Sequence, residues 1–198
     1  MSIYALKPRF QALLRPFAGL LCRAGVTANQ VTVAACVVSV ALGVWLALTP
    51  HAEGLFILVP LWLAVRMALN AIDGMLAREF GQGSTLGGYL NELGDVISDA
   101  ALYAPFALLA GSNAWLVGAI IALAIISELA GVLGVAAGGM RRYDGPMGKS
   151  DRAFVFGAVG LLVGVDVPMA QALNWLWGAV IALLVVTIAN RVRRGCAR

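Results

Sequence analysis

The amino-acid sequence predicts an all-α, polytopic membrane protein with six transmembrane helices. Of its 198 residues, 61% are hydrophobic and only 12% are charged, and the mean hydropathy is +0.89. Soluble domains carry about twice that share of charged residues. Apolar stretches of about 20 residues, long enough to cross the hydrocarbon core, recur along the chain. We place the spans at residues 31–49, 54–78, 86–110, 114–138, 152–168 and 171–190.

An amphipathic helix on the cytoplasmic membrane surface is predicted before the first span. Residues 3–22 intersperse apolar with basic side chains, a pattern typical of a helix on an anionic leaflet. Pro8 and Pro16 are expected to bend or interrupt this helix. Thr27 and Asn29 are the candidate N-caps of the next one. We therefore expect one domain, residues 1–198, with a juxtamembrane helix in 1–25 and a six-helix bundle in 26–198.

The distribution of basic residues predicts the orientation in the membrane. In the six-span arrangement every Lys and Arg except Arg66 falls on the same side, and the connections at 50–53, 111–113 and 166–171 contain none. Basic residues favour the cytoplasmic side, which places both termini there. We expect a multi-pass protein of the bacterial inner membrane. The net charge of +4 follows from this topology, and no nucleic-acid partner is predicted.

Polar residues recur with helical spacing inside the second and third predicted spans. On the second span one helical face carries Asn70, Asp73, Gly74, Ala77 and Arg78. On the third span Asn91, Asp95 and Asp99 share a face. Because a charged group at bilayer depth costs about 2.5 to 3.5 kcal/mol on insertion scales, such residues normally line a functional cavity. We predict that the two polar faces confront each other in a cavity open to the cytosol.

This pattern resembles the signature of the CDP-alcohol phosphatidyltransferase superfamily, and in particular its bacterial class I members. The signature has Asp, two residues, Asp-Gly, two residues, Ala-Arg, about eight residues, Gly, three residues, Asp, three residues and Asp. Matching positions here are Asp73, Gly74, Ala77, Arg78, Gly87 and Asp95, whereas Asn70 and Asn91 stand where the signature has Asp. The resemblance covers nearly the whole chain, including GVTANQVT before the first span and GPMGKSDR at the fifth.

The resemblance implies a phosphotransferase. An alcohol would attack the phosphorus of a CDP-linked lipid, expected to be CDP-diacylglycerol, and CMP would leave. In the family the aspartates hold two metal ions on the diphosphate, so Mg²⁺ or Mn²⁺ is the expected cofactor. By this analogy Asp95 is the catalytic base, and the metal ligands are Asn70, Asp73, Asn91 and Asp95. The CDP moiety would contact Gly74, Ala77, Arg78 and Gly87.

The two asparagines reduce the negative charge of the predicted metal site. Four carboxylates would balance two divalent ions, whereas Asp73 and Asp95 supply two charges, and neutral amide oxygens are weaker ligands for a hard cation. A single ion is one hypothesis. Another is that Glu92 and Asp99 restore a second site. The loss of carboxylates also leaves open a catalytically inactive relative that binds a CDP-lipid or assists assembly.

Basic residues cluster at and before the fifth predicted span. Arg141, Lys149 and Arg152 suit an acceptor that carries phosphate, with glycerol 3-phosphate and inositol phosphate as the leading candidates. Topology alone would also explain this positive loop. An uncharged or zwitterionic alcohol is therefore a second hypothesis for the small hydroxyl acceptor.

Two further features leave alternatives open. Arg66 and Glu128 lie at comparable depths in the second and fourth spans, so they are expected either to pair or to contact substrate. Small residues recur along the fourth and fifth spans, which predicts close helix packing or the seam of a homodimer. The expected partners are a CDP-lipid donor, a small acceptor, the lipid bilayer and a second copy of the chain.

Overall fold

The computed structural model describes residues 6–197, and in this part of the chain every regular element is a helix. The start of the predicted surface helix, residues 3–5, lies outside the described residues. Two short 3₁₀ helices, Glu53–Ile57 and Ala104–Leu108, precede the third α-helix and follow the fourth. The α-helices are α1 Leu6–Arg23, α2 Ala28–Leu48, α3 Leu58–Glu79, α4 Thr85–Tyr103, α5 Ala114–Ala136, α6 Lys149–Gly164 and α7 Leu173–Cys196.

Four helical stretches in the described part of the chain are long and apolar enough to cross a membrane. They are Ala28–Leu48, Glu53–Glu79, Ala114–Ala136 and Leu173–Cys196. The third predicted span, α4, contains Glu92, Asp95 and Asp99, and the fifth, α6, has only 16 residues. The charged residues of α4 and the short length of α6 explain why these two helices are not among the four candidate spans. The all-helical membrane class is confirmed, and the count of six spans stays a prediction.

The start of α2 is fixed by reciprocal capping. Thr27 Oγ1 accepts the Gln30 N–H at 3.2 Å, while Gln30 Oε1 accepts the Thr27 N–H at 2.9 Å. This arrangement satisfies two backbone donors of the first turn. Of the two candidate caps, Thr27 fills the role and Asn29 lies inside the helix. The Ala28 N–H donates to Gln82 Oε1 at 2.7 Å, which ties this start to the segment after α3.

The chain divides into two compact units. The first comprises Met1–Val40 and Trp62–Ser98, and the second comprises Ala41–Leu61 and Asp99–Arg198. The boundaries fall inside α2, α3 and α4, so each of these helices contributes residues to both units. The organisation of 1–198 as one membrane domain stays a prediction.

In the first unit α1 packs on α2 and α3. Their shared core consists of Ala18, Ala28, Val31, Ile72, Met75 and Leu76. Arg15 Nε lies 2.9 Å from Glu79 Oε2 and ties α1 to the end of α3. The helix α1 continues through Pro16 instead of being interrupted there. Leu13 and Leu20 are 68% and 60% exposed, so the opposite side of α1 carries apolar surface that suits a lipid environment.

The core of the second unit is aromatic. The rings of Tyr103 and Phe156 stack at 3.8 Å between centroids, and Phe156 stacks on Trp177 at 5.0 Å. Phe106 meets Phe156 edge to face at 5.0 Å. Offset and edge-to-face aromatic contacts of this kind stabilise a core beyond simple area burial. This cluster joins α6 and α7 to the end of α4.

Small residues allow close packing within the second unit. A Cβ added at Gly164 would lie 2.6 Å from the Ile57 backbone nitrogen, and one at Gly160 would lie 3.0 Å from the Phe56 carbonyl oxygen. On α5, a Cβ at Gly131 would approach a backbone oxygen of the following loop at 2.7 Å. These glycines therefore serve contacts inside the chain, as one of the two hypotheses predicted. The homodimer stays a prediction.

Candidate active site

Asp73 is positioned by α2 in the first unit. Its side chain is buried, and its Oδ2 accepts a hydrogen bond from Thr32 Oγ1 at 2.7 Å. Thr32 is the last residue of the GVTANQVT stretch, so this part of the resemblance has a direct structural role. A hydrogen bond to a carboxylate is stronger than one between neutral groups. The contact therefore holds Asp73 in a defined orientation on α3.

Asp95 is held from α3 by two side chains. Arg66 Nη2 lies 3.1 Å from Asp95 Oδ1 and 3.1 Å from the Asp95 carbonyl oxygen, and Asn70 Nδ2 donates to the same Oδ1 at 3.3 Å. Arg66 is 3% exposed, whereas the Asp95 side chain is 19% exposed. The structure thus brings Asn70 and Asp95 together, as predicted for the two polar faces.

Arg66 is a candidate functional residue that the sequence interpretation left outside the site. It lies four residues before Asn70, which puts both side chains on one face of α3. That spacing was the available signal. The choice between Asp95 and Glu128 as the partner of Arg66 depends on how helices are rotated against each other.

Gly74 and Arg78 occupy successive turns of α3. A Cβ at Gly74 would lie 2.7 Å from Arg78 Nη2, so the absence of a side chain makes room for the exposed guanidinium. The end of a long arginine side chain moves easily, and a phosphate would attract it. Ala77 instead packs against the core formed by α1, α2 and α3. Contact of these residues with a CDP moiety stays a prediction.

The first turn of α4 approaches the side chain of Asn29. The Gly87 N–H donates to Ser84 Oγ at 2.9 Å, which caps the helix. A Cβ at Gly87 would lie 2.7 Å from Asn29 Oδ1, so the glycine permits this approach. Asn91 and Glu92 follow on the same helix, and both are partly buried.

The first unit contributes two signature carboxylates as candidate ligands of a divalent cation. Within residues 6–197, no group of three or more His, Cys, Asp or Glu side chains is arranged to hold a metal ion. Asp73 and Asp95 are the signature carboxylates, and Asp95 Oδ1 faces two N–H donors. Mg²⁺ prefers oxygen ligands and usually keeps several waters, and the number of ions that these carboxylates hold stays a prediction.

A buried cluster of charged side chains occupies the second unit, and we call it the arginine cluster. Arg152 Nη2 lies 3.2 Å from Asp99 Oδ2 and 3.0 Å from Glu128 Oε1. Glu128 Oε2 lies 3.2 Å from Arg141 and 3.5 Å from Arg191. Asp99, which was predicted as a substitute metal ligand, thus has a guanidinium partner. Three guanidinium groups surround two carboxylates, so the cluster has an excess of positive charge.

Three arginines of the second unit, two of them in the arginine cluster, have a side-chain donor that lacks an acceptor in the described part of the chain. The Nε atoms of Arg142, Arg152 and Arg191 are buried and have no hydrogen-bond partner there. Buried polar groups are normally satisfied, so such atoms need an explanation. An oxygen acceptor beside each atom, from water or from an anion, would satisfy it. Lys149, the third residue predicted to bind the acceptor, begins α6 and is partly buried.

Comparisons with known proteins agree with the resemblance found in the sequence. The model of the CDP-alcohol phosphatidyltransferase family matches residues 25–189. The chain is 48% identical over 193 residues to inner membrane protein YnbA of Escherichia coli K12, covering 98% of this chain and 96% of that protein. It is 31% identical over 205 residues to the phosphatidylinositol phosphate synthase of Corynebacterium glutamicum, covering 97% and 87%.

Solved structures share the fold. A crystal structure of the Mycobacterium tuberculosis phosphatidylinositol phosphate synthase with CDP-DAG bound superposes with a TM-score of 0.78 at 22% identity, over 94% of both chains. A second structure of that enzyme, with manganese and citrate, gives 0.77 at 22% identity over 93% of this chain and 89% of the other. The family match over most of the sequence confirms the predicted resemblance. The chain belongs to the CDP-alcohol phosphatidyltransferase family, whose members are transferases of phospholipid biosynthesis.

Proposed function

We propose that this protein transfers a phosphatidyl group from CDP-diacylglycerol to the hydroxyl of a small acceptor and releases CMP. The observation that carries this proposal is the retained Asp95, a partly exposed carboxylate oriented by Arg66 and Asn70. Family membership supports the reaction class. The relative from Corynebacterium glutamicum is a phosphatidylinositol phosphate synthase, and the enzyme of similar fold was crystallised with CDP-DAG.

In this reaction Asp95 is the general base. Its carboxylate accepts the proton of the acceptor hydroxyl as that oxygen forms a bond to the phosphorus nearest the lipid. The bond from this phosphorus to the bridging oxygen breaks, and its electrons leave with CMP. Arg66 and Asn70 hold the carboxylate in place, which keeps the base aligned with its proton. Arg78 lies near the end of α3 and would contact donor phosphate.

One Mg²⁺ or Mn²⁺ ion is the proposed cofactor. Asp73 would hold it together with the amide oxygens of Asn70 and Asn91, and Thr32 would keep Asp73 oriented. A bound divalent ion supplies positive charge to the diphosphate and so stabilises the leaving group. Gly74, Ala77 and Gly87 are the proposed neighbours of the CDP moiety, since they carry little side-chain bulk.

The proposed acceptor carries a phosphate, as glycerol 3-phosphate and inositol phosphate do. Support comes from the arginine cluster, where Arg141, Arg152 and Arg191 exceed Asp99 and Glu128 in charge. Phosphate accepts several charge-assisted hydrogen bonds and matches the geometry of guanidinium groups. Lys149 is a further proposed contact of the acceptor.

A screen of acceptors tests the function. The purified protein in lipid nanodiscs is given radiolabelled CDP-diacylglycerol, Mg²⁺ or Mn²⁺, and one of glycerol 3-phosphate, inositol phosphate, serine or inositol. We expect CMP release and a new labelled lipid with a phosphate-bearing acceptor. Turnover with uncharged inositol alone would contradict the proposed acceptor class. Donor binding without CMP release from any acceptor would favour an inactive binding or assembly protein.

In the proposed membrane arrangement the chain has six spans. Both termini and the site face the cytoplasm of a bacterium, and the protein is a homodimer. The location agrees with the designation of the Escherichia coli relative as an inner membrane protein. Cysteine labelling tests the sides: on a background without Cys22, Cys36 and Cys196, Ser150→Cys should react only from the cytoplasm. His51→Cys should react from the periplasm. Both positions are exposed, and the reverse result would contradict the topology.

A further inference from the structure

The connection between α5 and α6, residues 137–148, is anchored on α7 by a single buried residue. Among residues 137–148, all of which the structure describes, only Met147 is buried. Its N–H donates to Thr187 Oγ1 at 2.9 Å, and Thr187 is 0% exposed. The Thr187 hydroxyl in turn donates to the Leu183 carbonyl oxygen at 2.8 Å. A hydroxyl has one proton, so these two bonds fix both its donor and its acceptor direction.

Close backbone packing at Gly145 holds the connection against the same residue of α7. The φ of Gly145 is 126°, a conformation that residues with a Cβ rarely adopt. A Cβ added there would lie 2.6 Å from both Cα and Cγ2 of Thr187. Any side chain at position 145 would therefore push the connection away from α7.

The anchored residues adjoin two arginines of the arginine cluster. The Met147 carbonyl oxygen accepts a long hydrogen bond from Arg152 Nη1 at 3.4 Å, and the Gly148 carbonyl oxygen accepts the Arg152 N–H at 3.0 Å. Arg191 follows Thr187 by four residues, so the two share a face of α7. A Cβ added at Gly148 would lie 4.0 Å from Arg191 Nη2. The anchor of the connection thus lies beside the guanidinium groups of both arginines.

We infer that Thr187 is a positioning residue for the phosphate-bearing acceptor. The inference rests on the proposed function, because it concerns the arginines that the proposed acceptor would contact. Thr187 acts through the backbone: its hydroxyl fixes Met147, whose carbonyl oxygen helps to orient the Arg152 guanidinium. Groups that are already oriented lose less freedom when a ligand binds. Loss of the hydroxyl should therefore weaken binding of phosphate and leave the chemistry at Asp95 unchanged.

Two substitutions at Thr187 separate its hydroxyl from its shape. Thr187→Val keeps the branched side chain but leaves the buried Met147 N–H without its acceptor, whereas Thr187→Ser keeps the hydroxyl. Inorganic phosphate is titrated into the full-length protein in nanodiscs, and binding is measured by calorimetry. The Kd for phosphate should rise at least about tenfold in Thr187→Val and stay within about threefold of wild type in Thr187→Ser. Thr49→Val is the control, since the Thr49 hydroxyl donates to the Trp45 carbonyl oxygen at 2.8 Å.

Steady-state kinetics distinguish positioning from a purely structural role. With CDP-diacylglycerol as donor and glycerol 3-phosphate or inositol phosphate as acceptor, Thr187→Val should raise the acceptor KM about tenfold or more. The kcat and the donor KM should stay within about threefold of wild type, and Thr187→Ser should restore the acceptor KM. A purely structural role would instead lower the amount of active protein without a selective effect on the acceptor.

A pair of glycine substitutions tests the same anchor from the other side of the contact. Gly145→Ala should displace the connection from Thr187 and raise the Kd for phosphate as Thr187→Val does. Gly138→Ala is the matched control in the same connection. Gly138 also has a positive φ, 82°, but a Cβ added there meets nothing within 4 Å. It should leave the affinity for phosphate nearly unchanged.

Definite outcomes would overturn the inference. They are unchanged phosphate affinity in Thr187→Val, failure of Thr187→Ser to restore it, and absence of phosphate binding by the wild type. Circular dichroism and gel filtration check folding, and if Thr187→Val does not fold, the comparison of Gly145→Ala with Gly138→Ala decides. The predicted phosphate affinities without CMP release from any acceptor would contradict the proposed function and leave the role of Thr187 standing. CMP release by a wild type that does not bind phosphate would do the reverse.

Discussion

Each of the two units of this protein pairs arginine with buried or partly buried carboxylates, but in different proportions. In the first unit two such carboxylates, Asp73 and Asp95, accompany one buried guanidinium, Arg66, and the signature's Arg78 is exposed. In the second unit the three guanidinium groups of the arginine cluster outnumber its two carboxylates. The first arrangement suits a cation and the second an anion. The ratio of arginines to carboxylates therefore decides whether a region favours a cation or an anion.

The two regions also differ in accessibility. Asp95 keeps 19% of its side chain exposed, whereas the side chains of Arg152 and Arg191 are 1% and 2% exposed. A base must reach a proton on a substrate, so partial exposure fits catalysis. A deeply buried ion network is costly to break, because removing one charge strands its partner. We therefore expect substitutions at Asp95 to alter chemistry, whereas those in the arginine cluster should lower stability in addition to weakening binding of the proposed phosphate-bearing acceptor.

The largest effect should come from Asp95→Asn. The substitution keeps the shape of the side chain and an acceptor for Arg66 but removes the base, so CMP release should fall by about 10² to 10⁴-fold. Binding of CDP-diacylglycerol should change little. Radiolabelled turnover and donor binding are measured on one preparation. A variant that keeps more than about a tenth of wild-type turnover would exclude Asp95 as the essential base.

Arg152→Met should strongly destabilise the second unit. It leaves Asp99 and Glu128 with less compensation in a buried site, at an expected cost of about 3 to 5 kcal/mol. Thermal unfolding in one detergent, followed by circular dichroism, reports the change. Arg142→Met is the matched control, because Arg142 Nη2 donates to the Arg194 carbonyl and its loss should cost about 1 kcal/mol. Equal melting temperatures for the two variants would contradict the expected cost of breaking the buried arginine cluster.

Asp73→Asn should weaken metal and donor binding together. It removes one of the two signature carboxylates, so donor-free Mn²⁺ affinity should fall by at least about tenfold. Calorimetry with Mn²⁺, alone and with CDP-diacylglycerol, measures both affinities. Asp166→Asn is the control, since this residue is exposed and has a φ of 60°, which Asn adopts readily. If Asp73→Asn and wild type bind Mn²⁺ equally, Asp73 is not a ligand.

The smallest effect should come from Arg15→Gln. This ion pair with Glu79 is solvent-exposed, and water and salt screen exposed pairs so that they contribute little to stability. The variant should therefore melt at nearly the temperature of the wild type, and high salt should reduce any difference further. Because Arg66→Gln would strand the less exposed Asp95, it should destabilise the protein more. Equal losses for the two variants would remove the energetic distinction between surface and site arginines.

The sequence by itself determined the class, the family and the local pattern of the site. Composition required a membrane protein, because so apolar a chain has few polar residues to cover a soluble surface. Helical periodicity put Asn70 and Asp73 on one polar face and Asp95 on another, and the contact between Asn70 and Asp95 agrees with the prediction that these faces meet. The capping preferences of Thr and Asn predicted Thr27 or Asn29 as the N-cap of α2, and Thr27 has that role. Each of these features depends on neighbours within a few residues or on the chain's overall composition.

Only the tertiary structure decided which distant charges meet. Arg66 pairs with Asp95, while Asp99 and Glu128 share Arg152, and nothing in the spacing of these residues specifies those partners. The partner of a long side chain depends on the rotation and axial register of packed helices, which small residues such as Gly160 adjust by close backbone contact. Hydropathy identifies the face that is buried but leaves that register undetermined. The charge balance of each region is therefore a property of the packed chain.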